Sequence, residues 1–168
     1  MASNVDRILA LVSGERPIIL IDGRSGSGKT ELATELAPRL AAELVRLDDM
    51  YPGWEGLEAA SESVRTDILD ANRWRRWDWS SGRPAEWHEL DPARALVVEG
   101  SGALSRANRQ LATLGVWVSL DETTRKARAM ARDGAMYEPH WADWAAQEQR
   151  FIDRERPDSL ADVIVRGG

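Results

Sequence analysis

The chain has no cysteine, which excludes both a disulfide framework and a thiolate metal site, and its two histidines are too few for a histidine-rich metal centre. Positive charge is also scarce: 22 Lys and Arg stand against 28 Asp and Glu, a formal net charge of −6. A nucleic-acid backbone or an anionic membrane demands a basic surface, so neither is expected as the main partner. Long apolar runs are missing as well. The first twenty residues hold only Ile8 to Val12 after Asp6-Arg7, too short and too charged for a signal peptide or a membrane span, and a cytoplasmic location is expected. No repeat, low-complexity tract or interdomain linker breaks the 168 residues, so a single domain over 1–168 with its own core is expected. Phenylalanine occurs once while tryptophan occurs eight times, with Trp54, Trp74, Trp77, Trp79 and Trp87 concentrating aromatic mass in mid-chain.

Against these absences one stretch stands out. Gly23-Arg24-Ser25-Gly26-Ser27-Gly28-Lys29-Thr30 fits the phosphate-binding pattern G-x-x-x-x-G-K-[ST]. Its glycines let the backbone curl until successive NH groups point inward at phosphate oxygens, Lys29 adds a mobile positive charge, and Thr30 offers a hydroxyl to Mg2+. The flanks suit the pattern. Pro17-Ile18-Ile19-Leu20-Ile21 reads as a buried parallel strand ended by Asp22-Gly23. Leu32, Leu36 and Leu40, with Ala33 and Ala37, form the apolar stripe of a helix whose N-terminus faces the loop.

Further along, Ser3-Asn4-Val5-Asp6 predicts a capped short helix to about Val12, which Gly14 stops. Glu43 to Leu47 reads as a second strand, ending in Asp48-Asp49-Met50-Tyr51 before the Pro52-Gly53 turn. A helix is expected from about Ala59 to Trp74. The alternation Trp74, Trp77, Trp79 and the Ser80 to Pro84 turn then predict a hairpin that returns through Trp87 and Leu90. Ala95 to Glu99 is a third strand, followed by a helix capped by Ser105 that runs to about Leu114. Val116 to Leu120 is a fourth, followed by a helix from Glu122 to Arg132 capped by Asp121 and closed by Gly134. A last long helix begins near Pro139 and ends before Pro157, and Ala161 to Val165 is a fifth strand. Five apolar strands separated by helical stretches predict a three-layer α/β P-loop NTPase fold with a five-stranded parallel sheet, ligands gathering at the carboxyl ends of the strands.

At those ends fall Thr30, Asp48 or Asp49, and Glu99. Phosphoryl transfer needs Mg2+ on the terminal phosphates, cations on the moving group and often a carboxylate that orients the acceptor hydroxyl. A hydrolase would need a water-positioning residue, and none stands out. Bland roles compete: Asp48 and Asp49 could cap the turn before Pro52, Arg128 and Arg132 could be a solvated helix face, and Trp54, Trp77 and Trp79 could pack rather than stack on a ligand. His88 reads as a hairpin surface residue, Tyr51 either packs or donates, and a structural role for Glu99 would need a partner because an unpaired buried carboxylate is costly.

Asp48-Asp49-Met50-Tyr51, the loop and Val98-Glu99-Gly100 together resemble the uridine kinase-like branch of P-loop kinases. The resemblance implies an ATP-dependent phosphotransferase that moves the γ-phosphate of MgATP to a hydroxyl of a small-molecule acceptor, a nucleoside among the candidates. It matches Asp48 to the base for that hydroxyl, with Met50 in place of the usual Phe. Glu99 matches the strand-end acid that helps hold Mg2+, so that Thr30, Asp48 and Glu99 would surround the metal. Trp77-Asp78-Trp79 looks like the stretch that lines the acceptor pocket, beside Asp49, Tyr51 and Trp54, in a hairpin-like insertion near 74–90. Arg128 and Arg132-Asp133 look like arginines of a short lid near 128–140. Two features depart from the pattern: Gly82 stands where nucleoside kinases carry a base-contacting His, and Gly134-Ala135-Met136-Tyr137-Glu138 replaces an arginine-glycine lid segment. Two other outcomes remain open, a nucleotide-binding switch with little kinase activity and a kinase for a sugar, vitamin or antibiotic. The chain carries no N-K-x-D guanine-reading stretch.

Overall fold

In the computed structural model, which describes residues 1–167, the chain opens with helix α1 (Asn4–Leu9). Ser3 caps it: its hydroxyl accepts from the Asp6 amide, and the Asp6 carboxylate accepts from the Ser3 amide. Strand β1 (Ile18–Gly23) leads through the phosphate-loop sequence into α2 (Lys29–Arg39). Then come β2 (Glu43–Arg46), a 3-10 turn at Leu47–Asp49, and α3 (Leu57–Ser63), which widens into a π-helical turn at Val64–Leu69. The antiparallel hairpin of β3 (Arg73–Asp78) and β4 (Arg83–Glu89) follows, then β5 (Leu96–Glu99), α4 (Arg106–Gln110) and β6 (Leu114–Ser119). The last third holds α5 (Glu122–Asp133), two 3-10 turns between Gly134 and His140, α6 (Trp141–Glu155), α7 (Pro157–Leu160) and β7 (Val163–Arg166).

The five long-range strands form one sheet in the order β2-β5-β1-β6-β7, and every neighbouring pair is parallel. Alternate side chains go to opposite faces, which is why near-continuous apolar strands produce two cores. Leu20, Val45, Leu96 and Val98 pack with α3, the π-helical turn and α6 through Leu57, Val64, Trp144 and Phe151. Ile19, Ile21, Val97 and Val116 pack on the other face with α1 and α2 through Val5, Ile8, Leu32 and Leu36. A side chain such as Ile19 or Leu20, with no exposed area, contributes roughly 1.5–3 kcal/mol by leaving water.

Four expectations shift. The helix expected over Ala59 to Trp74 is broken into α3 and the π-helical turn, and Asn72, in the left-handed region at φ 52°, ends it before β3. The helix at the start ends at Leu9 rather than Val12. The helix capped by Ser105 ends at Gln110 rather than near Leu114, which instead opens β6, and the last long helix begins at Trp141 after a 3-10 turn that holds Pro139. Among the described residues no helix is long and apolar enough to cross a membrane.

Register fixes where the chemistry lies. Ile21 pairs with Glu99, and Glu99 pairs with Arg46 on its other side, so the ends of β1, β5 and β2 lie level at the carboxyl edge of the sheet. The phosphate loop leaves from the first, Glu99 closes the second, and the turn bearing Asp48 leaves the third. The hairpin lies outside this sheet. Its base is closed by the Leu90 amide donating to the Asn72 carbonyl at 2.8 Å, and at its tip the Trp79 Nε1–H donates to the Asp48 carbonyl at 3.0 Å.

Candidate active site

The phosphate loop is held from behind by buried acids. Asp22, only 2% exposed, accepts at one carboxylate oxygen from the Gly23 amide at 2.7 Å and the Gly102 amide at 3.2 Å, and at the other from the Leu104 amide at 2.9 Å. Burial pushes its carboxyl up to about 6, against the pull of those amides and of the Lys29 charge. Glu148 of α6, 3% exposed, accepts from the Ser25 amide at 2.7 Å and from the Ser101 hydroxyl at 2.8 Å, while Arg24 Nε lies 3.3 Å from its other oxygen. Arg125 of α5 is buried and donates to the Leu120 carbonyl at 3.0 Å and the Ser25 carbonyl at 3.4 Å.

Within that frame Gly26 and Gly28 take φ of 80° and 103°. A Cβ on Gly26 would run into the Arg125 carbonyl, so the loop needs glycine there for space as well as conformation. Lys29 Nζ donates to the Arg24 carbonyl at 3.0 Å, spanning the loop. The Thr30 hydroxyl donates to Glu99 Oε1 at 2.9 Å, and Arg46 Nε lies 3.4 Å from the same oxygen. Burial pushes the Glu99 carboxyl up, and the Lys29 charge pulls it down.

A cleft of about 700 Å³ opens in front of these groups. From the loop it is lined by Ser25, Gly26, Gly28, Lys29 and Thr30. Asp48, Glu99, Arg128, Arg132, Tyr51, Trp54 and Trp79 line it as well, so most of the residues singled out in the sequence meet in one place. Arg128 Nη1 is buried without a hydrogen-bond partner and would lie 3.9 Å from a Cβ on Gly28. A buried guanidinium nitrogen without a protein partner beside a phosphate-loop glycine fits an anionic ligand. The Ser27 hydroxyl is likewise buried without a partner. Arg132 pairs instead with Asp133 at 3.0 Å.

Five expected ligand residues, Gly23, Ser27, Asp49, Trp77 and Asp78, do not line the cleft. Asp78 accepts from the Ser80 amide at 3.0 Å and the Ser81 hydroxyl at 2.8 Å, closing its own hairpin turn. Trp77 is half-buried within the hairpin, and Asp49 is exposed on the turn beside Asp48. Gly23 and Ser27 are buried in the loop's own frame. Tyr51 reaches the cleft but is committed: buried, it donates to the Ser101 carbonyl at 2.8 Å and meets Trp144 edge-on at 4.7 Å.

One wall of the cleft is aromatic. Trp54 contacts Trp79 at 5.2 Å and Tyr137 at 5.4 Å between ring centroids, and His140 lies parallel to it at 4.2 Å. Gln147 of α6 fixes that loop by donating to the Trp54 carbonyl at 2.6 Å. Glu148, Ser101, Arg125, Gln147 and Tyr137 are site residues that sequence reasoning did not single out. Among the described residues no cluster of three or more His, Cys, Asp or Glu could hold a metal alone. Thr30 and Glu99 do offer oxygen donors side by side, the kind of partial ligand set on which Mg2+ relies when phosphates and water complete its shell.

Comparison with solved structures places the fold. A protein described as a possible uridine kinase from Bacillus stearothermophilus superposes with a TM-score of 0.64 at 19% identity, over 96% of this chain and 94% of that one. A candidate fructose transport system kinase from a Silicibacter species gives 0.56 at 17% identity over 95% and 96%. Shikimate kinase from Acinetobacter baumannii, in complex with shikimate, gives 0.57 at 15% identity over 91% and 84%. No protein-family profile matches the chain, and no curated protein matches it. At these identities the likeness shows architecture: the chain has the α/β fold of P-loop kinases, with its five-stranded parallel sheet and its strand-to-helix phosphate loop.

Proposed function

We propose that the protein is an ATP-dependent phosphotransferase acting on a hydroxyl of a small molecule. The observation that carries this reading is the Thr30 hydroxyl bonded to Glu99 at 2.9 Å, in one cleft with Lys29 on the phosphate side and Asp48 on the other. A nucleotide's phosphates would lie along the loop amides, with Lys29 and the unpartnered Arg128 Nη1 on the β and γ oxygens. Thr30 and Glu99, with Asp48 near them, would hold Mg2+, which supplies charge neutralisation on the terminal phosphates. Asp48 would orient the acceptor hydroxyl and take its proton as the new oxygen–phosphorus bond forms. The bond from the γ-phosphorus to the β–γ bridging oxygen breaks, and ADP leaves with the electron pair. Arg128 is the better placed of the two lid arginines, because Arg132 is paired with Asp133.

The test is incubation of the purified protein with Mg2+ and ATP labelled at the γ position, together with a mixture of small metabolites. A labelled organic phosphate that disappears in the Lys29→Ala variant supports the reading. Tight nucleotide binding with no labelled organic product, or with inorganic phosphate alone, overturns it and favours a nucleotide-dependent switch.

A further inference from the structure

Between α5 and α6 the stretch Gly134-Ala135-Met136-Tyr137-Glu138 carries no Lys or Arg, so whatever it brings to the cleft is uncharged or acidic. Gly134, at φ 52°, ends α5 and turns the backbone, and of the five residues only Tyr137 is buried. Tyr137 lines the cleft, and its ring is held by Trp54 at 5.4 Å and Trp141 at 5.5 Å between centroids. The one part left free to turn is its hydroxyl.

That hydroxyl meets the Ser25 side chain of the phosphate loop without closing a hydrogen bond in good geometry, and the charges of Glu148 and Asp48 both act on it. Ser25 belongs to the end of the loop nearest the terminal phosphates. Lys29 Nζ, the cation that reaches the β and γ oxygens in such a loop, donates at 3.0 Å to the carbonyl of Arg24, the residue just before Ser25. The Ser25 backbone is already used, its amide by Glu148 at 2.7 Å and its carbonyl by Arg125 at 3.4 Å. Only its hydroxyl remains. Burial pushes the Tyr137 phenol well above its ordinary range, with the Ser25 side chain pulling the other way, so the phenol keeps its proton and stays a donor at neutral pH. A hydroxyl hydrogen rotates to suit its partner, and a charge-assisted bond to a phosphate oxygen is about twice as strong as a neutral one, so an anion beside this pair draws both hydroxyls away from each other.

We infer that Tyr137 reads the terminal phosphate: its hydroxyl, together with that of Ser25, donates to oxygens of the γ-phosphoryl group and distinguishes a nucleoside triphosphate from a diphosphate. The inference rests on reading the loop as a triphosphate site and does not depend on transfer to an acceptor. A neutral donor then serves between α5 and α6 in a stretch without a guanidinium.

Calorimetric titration of the full chain with MgADP, and with the Mg2+ complex of the non-hydrolysable β,γ-imido analogue of ATP, tests this in the wild type and in Tyr137→Phe. The variant keeps the ring against Trp54 and Trp141 and removes only the hydroxyl. It should bind the imido triphosphate about tenfold more weakly, the loss of a hydrogen bond to a charged group, while MgADP affinity changes by no more than about twofold. Equal weakening of both nucleotides would make Tyr137 a strut of the loop and overturns the inference, as does an unchanged affinity for the triphosphate. A wild-type chain that binds neither nucleotide overturns it together with the nucleotide reading of the loop. Labelled ATP is scored separately: a selective loss in Tyr137→Phe with no labelled organic phosphate from the wild type leaves the inference standing and counts against the phosphotransferase reading, whereas a labelled product with an unselective Tyr137→Phe does the reverse.

Discussion

The Glu148 carboxylate accepts the Ser25 amide at 2.7 Å across 123 residues of sequence, fastening α6 to the phosphate loop. The same oxygen takes the Ser101 hydroxyl at 2.8 Å, and α6 also presents Trp144 to the cleft. Phosphate loop and aromatic wall therefore share one helix as their support.

Glu148→Gln keeps an oxygen for the Ser25 amide but removes the charge beside Arg24. A buried hydrogen bond to a charged group is worth about 1.5–3 kcal/mol. We expect MgATP affinity to fall about tenfold and the melting temperature to drop by several degrees, with Glu148→Ala worse on both. Calorimetry and thermal melts check this, and an unchanged nucleotide affinity in both variants would show that the loop holds its shape without α6.

In the proposed reaction Lys29 and Asp48, which line one cleft, serve different partners, so their losses should separate. Lys29→Ala is expected to abolish turnover and weaken ATP binding, since the charge on the terminal phosphates goes unanswered. Asp48→Asn should lose turnover by about 10²–10⁴-fold, the usual range for a positioned acid or base, yet still bind MgATP. Full activity in Asp48→Asn removes the base assignment.

Much of this site was legible because its parts are local in sequence. The loop is eight consecutive residues, and Glu99 and Asp48 follow apolar runs whose ends define strand ends. Glu148, Ser101 and Arg125 were not legible, because each acts on a residue 47 to 123 positions away and nothing in its neighbourhood distinguishes it from a surface helix or loop residue. Trp77 and Trp79 looked equivalent by strand alternation, but β3 ends at Asp78. Trp79 belongs to the turn and swings onto the Asp48 loop, while Trp77 stays in the ribbon. Asp78 had a local use, the Ser80-Ser81 turn, that a reading of the motif passed over.

Asp22 makes stability depend on pH in a defined direction. Its folded carboxyl sits at about 6, against 3.8 for the ordinary group. A carboxyl raised on folding binds its proton more tightly in the folded state, so its contribution grows as pH falls through 6 and is complete below 3.8. Asn cannot titrate and offers Leu104 no second acceptor. The destabilisation caused by Asp22→Asn should therefore be about 1.4 kcal/mol larger at pH 5 than at pH 7.5. Urea unfolding of both proteins at the two pH values measures it; an equal or smaller cost at pH 5 would mean that the carboxylate is already ionised there.

Trp79 offers the sharpest test of how the hairpin serves the cleft. Its ring leans on Trp54 at 5.2 Å, and its Nε1–H donates to the Asp48 carbonyl at 3.0 Å, so one side chain both builds the wall and steadies the turn that carries the acid. Trp79→Phe keeps an apolar ring and removes the donor. A neutral hydrogen bond at a half-open site is worth about 1 kcal/mol, so kcat should fall about fivefold while the acceptor KM changes by less than twofold. Trp79→Ala removes the ring as well and should raise KM in addition. If Trp79→Phe instead raises KM and leaves kcat alone, the ring contributes to binding but its bond to Asp48 does not position the acid, and the hairpin acts as wall alone.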